Sequence, residues 1–390
     1  MKNDTRIVHA GRHPEDFKGA VNVPVYRTST VIARNMDEWD RKHREQASTN
    51  EPDLFYGRHG TPTSKALQQA MAELEGGFRS FVYPSGVSAC VTAIMAFAGQ
   101  GEHVLAPDSV YGPVRRISGT MFKRFGIETE FYDPRIGGDI EALVRPTTRV
   151  IYVEAPGSLT FEMQDIPAIA AVAHRHGAVV VMDNTWATPL LFRAFDHGVD
   201  VSVHAATKYV TGHSDTMLGV VTANEACYER LKAATLDLGQ TASPDDCYLA
   251  LRGLRTMGVR LARQGQAATE LAAWLASRPE VERVMSPALP DDPGHAIWKR
   301  DFLGASGLFA FALKPDLAKF RREFIDALKL FALGGSWGGY ESLVMPIDPP
   351  RTVTRYAYSN AGIRLHVGLE DPDDLKDDLA QAFGLINTRT

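Results

Sequence analysis

The sequence predicts an α/β protein in which a large, mostly parallel sheet is followed by a smaller α+β region. Three observations carry this. Short apolar runs alternate with helical patterns of about ten to fifteen residues, the rhythm of βαβ units. One long helical pattern follows, and past it the texture changes. The chain has 390 residues, 44% apolar and 23% charged, which suits a large buried core and excludes global disorder. At roughly 100–200 residues per domain, that length implies two or three domains.

The elements follow in order. The first sixty or so residues are polar and broken by prolines, so 1–60 is expected to be an arm laid on something else. Val25, Tyr26, Val31, Ile32 and Trp39 give the arm apolar contacts suited to a second subunit. Thr61-Pro62-Thr63 starts a helix, with Leu67, Ala70, Met71 and Leu74 at helical spacing and Gly76-Gly77 as its stop. The runs 81–83, 103–106, 128–132, 149–154, 178–183 and 199–204 read as strands, with helices near 87–97, 114–125 and 166–176. Ser243-Pro244-Asp245-Asp246 opens a helix reaching about Ser277: a hydroxyl cap, Pro at the first helical position and acids in the first turn. Beyond it, 307–313, 331–333 and 363–368 read as strands, and 315–328 and 372–384 as helices. The expected division is the arm at 1–60, a large domain at 61–250 and a small C-terminal domain at 251–390.

Composition narrows the partners. A net charge of −5 does not favour a nucleic-acid partner. Cys90, Cys227 and Cys247 are far apart and in no CxxC spacing, which argues against a disulfide scaffold or zinc ribbon and suits a reducing cytoplasm. The histidines are scattered, and no metal site is expected. The opening segment lacks the apolar core of a secretory signal, and the greasiest stretch, 90–99, is too short to span a bilayer, so no membrane association is expected.

Open α/β sheets bind ligands beyond the carboxyl ends of their strands. Four runs end there in residues with chemistry: AVVVMD in Asp183, VDVSVHAATKY in Thr207-Lys208, FVYPSGV in Ser85-Gly86 entering a helix, and HVLAPDSVY near Tyr111. Singly, each has a plain reading as a turn acid, a surface lysine, a tight turn or a core aromatic. On one rim they make a set. An acid keeps a pyridine nitrogen protonated, a lysine holds an aldehyde covalently, helix amides hold a phosphate, and an aromatic ring stacks on the cofactor. These are the parts of a pyridoxal 5'-phosphate site.

YGRHGTPT (56–63), YPSG (83–86), MDNTWATPL (182–190), HAATKYVTGHSD (204–215), SPDDCYLALRGLRTM (243–257) and GGSWGGYESL (334–343) resemble the Cys/Met-metabolism family of pyridoxal-phosphate enzymes. The resemblance runs in order over most of the chain. It implies the aspartate-aminotransferase-like fold (fold type I) and a homotetramer built as a dimer of dimers. It makes Lys208 the Schiff-base lysine, Asp183 the pyridinium partner and Tyr111 the stacking ring. Gly86, Val87 and Thr207 would hold the phosphate, joined by Tyr56 and Arg58 from the neighbouring subunit. Ser336 and Arg364 would bind the substrate carboxylate, for which a guanidinium fork is suited.

Three features lean towards the branch that cleaves at Cβ, the bacterial cystathionine β-lyases. Trp337 stands where γ-acting relatives typically read Ser-Leu-Gly-Gly. EAPGSLTFEMQD (154–165) has the Gly-Ser form, and Tyr111-Gly112-Pro113 lacks the cysteine of methionine γ-lyases. The expected substrate is thus a small thioether amino acid. The alternatives are γ-lyase or γ-synthase chemistry, or a cofactor-binding regulator without turnover. One position departs from the family: Ala205 stands where a serine usually precedes the Thr-Lys step.

Overall fold

The computed structural model describes residues 1–48 and 53–388, so residues 49–52 of the expected arm lie outside the described residues. Seven strands form the larger sheet: β1 (Arg79–Tyr83), β2 (His103–Pro107), β3 (Glu128–Tyr132), β4 (Thr148–Glu154), β5 (Val179–Asp183), β6 (Val201–His204) and β7 (Gly219–Ala223). Their spatial order is β1-β7-β6-β5-β4-β2-β3. β7 is antiparallel to both of its neighbours and the other pairings are parallel, so every strand except β7 points the same way. Their carboxyl ends form one rim. Helices cover both faces, and the central strands are accordingly apolar throughout: Leu105, Val150, Ile151, Val180, Val181, Val201 and Val203 are fully buried.

Local chemistry sets the helices. Thr61 and Ser64 form a reciprocal cap on the helix Pro62–Glu75, and Gly76 ends it in the left-handed region at φ +76°. The helix Pro244–Ala276 starts on Ser243, whose Oγ accepts the Asp245 amide at 3.2 Å. Its 33 residues span about 50 Å. Leu254, Met257 and Leu261 pack under the first sheet, and Leu271 and Leu275 under the second. Each buried leucine contributes about 1.5–3 kcal/mol.

The second sheet comprises β8 (Val281–Met285), β9 (Leu308–Leu313), β10 (Ala332–Leu333), β11 (Leu343–Ile347) and β12 (Gly362–His366), in the order β10-β11-β12-β9-β8. Sequence reasoning passed over β7, β8 and β11. In β11 the reason is visible: Pro346 cannot donate to a ladder, and although it stands in register with Ile363 of β12, β10 pairs only with Leu343 and Val344, so the other edge of the strand is open at the proline.

Two further expectations change. The helix expected over 114–125 is an α-helix, Gly112–Ile117, that widens into a π turn, Ser118–Phe122. There the Ser118 and Thr120 hydroxyls bond to the carbonyls of Val114 and Arg116, competing with the helical ladder. The arm also begins on its own chain. Ile7 is buried, and Arg255 donates to the carbonyls of Ile7 and Ala10 at 2.6 and 2.9 Å. Farther along, Ile32, Met36 and Trp39 are exposed.

Candidate active site

Functional side chains stand along the rim in strand order. After β1, Ser85 caps the helix Gly86–Met95, its Oγ accepting the Ser88 amide at 3.1 Å. The Gly86 and Val87 amides open that helix and have no acceptor within it, the usual setting for an anion. A Cβ on Gly86 would lie 2.5 Å from the Cβ of Ala205, so only glycine lets this helix start so close to the end of β6.

Beyond β6 come Thr207 and Lys208. The Thr207 hydroxyl accepts the Leu218 amide at 2.9 Å and donates to its carbonyl at 3.2 Å. The Lys208 amine donates to Ser336 Oγ at 2.7 Å and lies 5.4 Å from the centre of the Trp337 ring. Burial, reinforced by the charge of Arg364 and opposed by Asp183, lowers its pKa to about 8.

Asp183 ends β5, buried. Thr185 donates to Oδ1 from its amide at 3.0 Å and from its hydroxyl at 2.5 Å, whereas Oδ2 meets the Cys90 thiol at 3.8 Å. Burial pushes its pKa up. Glu154 ends β4 in register beside it. Glu154 accepts the Tyr111 amide at 2.7 Å, and burial followed by the neighbouring Asp183 raises its pKa well above the carboxylate range. Tyr111 follows β2. Burial, then Cys90, Asp183 and Glu154, push its phenol up to about 12, so it is protonated at neutral pH.

Arg364 reaches in from β12, its side chain almost wholly buried. It donates to the Ser336 carbonyl at 2.8 Å, and its Nε is buried without a partner. Burial lowers its pKa to about 10, still fully charged at neutral pH.

Gly86, Val87, Tyr111, Asp183, Thr207, Lys208, Trp337 and Arg364 all line one cavity of about 310 Å³. Ser336 touches it through Lys208. Tyr56 and Arg58 do not line it: they lie exposed on the arm, with the guanidinium 5.8 Å from the tyrosine ring centre. Sequence reasoning missed Glu154 and Cys90. Glu154 had a signal, an acid closing an apolar strand as Asp183 does, whereas Cys90 had none beyond its place in an apolar helix.

The residues fit pyridoxal phosphate. Free helix amides suit its phosphate, a desolvated lysine its aldehyde, a half-satisfied acid its ring nitrogen, and the orphaned Arg364 Nε a carboxylate on the substrate. Among the described residues no cluster of His, Cys, Asp and Glu has a metal-holding arrangement.

Comparison with known proteins agrees. The chain is 42% identical to the cystathionine beta-lyase of Escherichia coli (strain K12), over 99% of each chain. It is 40% identical to the L-alanine/L-glutamate racemase of Wolbachia pipientis wMel, over 100% of each. Its fold matches the solved cystathionine gamma-lyase from Lactobacillus plantarum complexed with L-serine, with a TM-score of 0.89, 29% identity and coverage of 99% of this chain and 100% of that one. The shared fold is the aspartate-aminotransferase-like type I arrangement. A family model spans residues 4–384, which contain the whole rim and the strand bearing Arg364, and the chain belongs to the Cys/Met metabolism PLP-dependent enzymes.

Proposed function

We propose that this chain is a carbon–sulfur lyase that cleaves L-cystathionine at Cβ and, with water, yields L-homocysteine, pyruvate and ammonia, a step of methionine biosynthesis. The observation that carries the reading is a lysine of lowered pKa, held on Ser336 beside Trp337, with the Arg364 guanidinium bonded to the same serine. Relatives named for this reaction match over 97–99% of their length.

Each residue then has a task. Lys208 would anchor the cofactor, Asp183 would pair with its ring nitrogen and Tyr111 would lie against the ring. Gly86, Val87 and Thr207 would hold its phosphate, with Tyr56 and Arg58 supplied by the neighbouring subunit. When bound, pyridoxal phosphate supplies an electron-withdrawing ring for negative charge developing at the substrate Cα. Arg364 and Ser336 orient the α-carboxylate, and Trp337 walls the side chain. A lysine with a pKa of about 8 is substantially neutral near that pH, so Nζ takes the Cα proton and returns it to the departing sulfur. Tyr111, protonated, is a second donor beside that path.

A site needing Tyr56 and Arg58 from another chain implies an oligomer, and the exposed apolar residues of the arm suit a homotetramer of paired dimers. Among the described residues no helix is long and apolar enough to cross a membrane, and we place the enzyme in the cytoplasm without nucleic-acid or membrane partners.

The test is a product assay on cofactor-loaded protein given L-cystathionine. Pyruvate with homocysteine is expected. Cysteine with 2-oxobutyrate would make it a γ-lyase, and conversion of L-alanine to D-alanine without cystathionine turnover a racemase. Replacing Lys208 with Ala is expected to cut turnover by about 10³-fold or more. Full activity in that variant would remove the lysine from the chemistry.

A further inference from the structure

The strand that bears Arg364 carries a second inward residue two positions on, His366, which none of the roles above uses. Its ring is fully buried. Its Nε2 accepts the backbone N–H of Gly338 at 3.0 Å. An amide can only donate, so this nitrogen is the acceptor and the ring carries its proton on Nδ1, which is buried with no hydrogen-bond partner. The Gly339 carbonyl, 3.2 Å from the same nitrogen, accepts from Gln264 at 2.7 Å. The charged groups near the ring are Arg364 and Lys208; Tyr209 packs with its ring centre 6.1 Å away. Burial foremost lowers the histidine's pKa to about 4, which keeps it neutral and accepting at working pH.

Gly338 lies directly on the lysine. Its φ is +86°, and a Cβ there would come within 2.9 Å of the Lys208 backbone. The loop 335–339 is therefore gripped twice from one strand: Arg364 holds the Ser336 carbonyl and His366 holds the Gly338 amide. Between those grips stand Ser336 Oγ, bonded to the lysine amine, and Trp337, beside it.

We infer that His366 is a positioning residue: by accepting the Gly338 amide it seats the loop 335–339 on Lys208 and sets where Ser336 and Trp337 meet the lysine amine. This rests on Lys208 being the reacting lysine. A leucine at 366 fills similar space without an acceptor, and a glutamine offers an amide oxygen near the position of Nε2.

The experiment compares cofactor-loaded wild type, H366L and H366Q. H366L is expected to lower kcat/KM on L-cystathionine at least about tenfold. Without substrate, it is also expected to displace the pH midpoint of the bound cofactor's visible absorbance by roughly half a unit or more. H366Q is expected within about threefold of wild type in rate and at the wild-type midpoint. Unchanged rate and midpoint in H366L would overturn the proposal, as would equal loss in both variants with no change of midpoint. Hydrogen exchange at the wild-type Gly338 amide decides the matter if H366L does not load cofactor. Slow exchange is expected, and exchange as fast as in exposed loops would refute the grip. The absorbance and exchange readouts need no cystathionine turnover, so they separate this proposal from the substrate assignment.

Discussion

Two buried aspartates share the rim and are treated in opposite ways. Asp108, just past β2, is saturated. It accepts the amides of Thr352, Val353 and Thr354 at 2.7–3.1 Å and the hydroxyls of Thr352 and Thr354 at 2.8 Å, and Arg115 pairs with it. Burial alone would raise its pKa, but the donors of Thr354 and Thr352 more than reverse this and hold it far below the carboxylate range. Asp183 has donors on one oxygen, a distant thiol on the other, and a raised pKa. The difference is instructive: a carboxylate whose partners come from the chain itself is a clasp, here fastening the segment after β11 to the large sheet. One left half-satisfied beside a cavity awaits a partner the chain does not contain.

The comparison is broken most easily by removing each acid in turn. Asp183→Ala is expected to cost about a hundredfold or more in turnover and to leave the fold intact, since it removes a buried acid with few partners. Kinetics beside a thermal melt check this, and a large loss of stability would put Asp183 among the clasps. Asp108→Ala is expected to do the converse, costing about 3 kcal/mol of stability because six donors lose their carboxylate acceptor, with the visible band of the bound cofactor retained. Denaturant unfolding beside absorbance checks it.

Proton linkage sharpens the contrast in cofactor-free protein. Asp108, with its folded pKa depressed, contributes stability present above its ordinary value of 3.8 and lost as pH falls below it. Asp183 and Glu154, with folded pKa values raised above 3.8 and 4.5, contribute in the other direction, and that share is lost as pH rises through their folded values. Asp108→Asn is therefore expected to flatten the acid limb of a stability–pH curve, and Asp183→Asn to flatten the decline on the other side. Identical curves for both variants would erase the distinction.

The smallest effect concerns Ala205, beside the Gly86 cradle. Ala205→Ser adds a hydroxyl there and is expected to tighten cofactor binding about fivefold, worth about 1 kcal/mol. Equilibrium dialysis measures it, and an unchanged dissociation constant would mean the hydroxyl does not reach the phosphate.

Much of this was legible from residues alone, for a physical reason. Asp183, Lys208, Gly86 and Tyr111 each follow an apolar run, and a parallel sheet delivers such positions to one edge whatever the details of register. Asp108 and His366 were not legible, because their partners lie 244–246 and 28 residues away: those of Asp108 arrive only when the two sheets are set against each other, and that of His366 only when the second sheet brings the loop after β10 against β12. Local pattern also failed where side chains compete with the backbone, as Ser118 and Thr120 do, and where a proline sits in a strand with one edge open beside it, as Pro346 does.

The central claim is that Lys208 carries the cofactor covalently. Protein loaded with pyridoxal phosphate, treated with borohydride and digested, should show the pyridoxyl mass on the peptide containing Lys208 and on no other. Label on a different lysine, or protein that takes up no visible absorbance and no label, would contradict it.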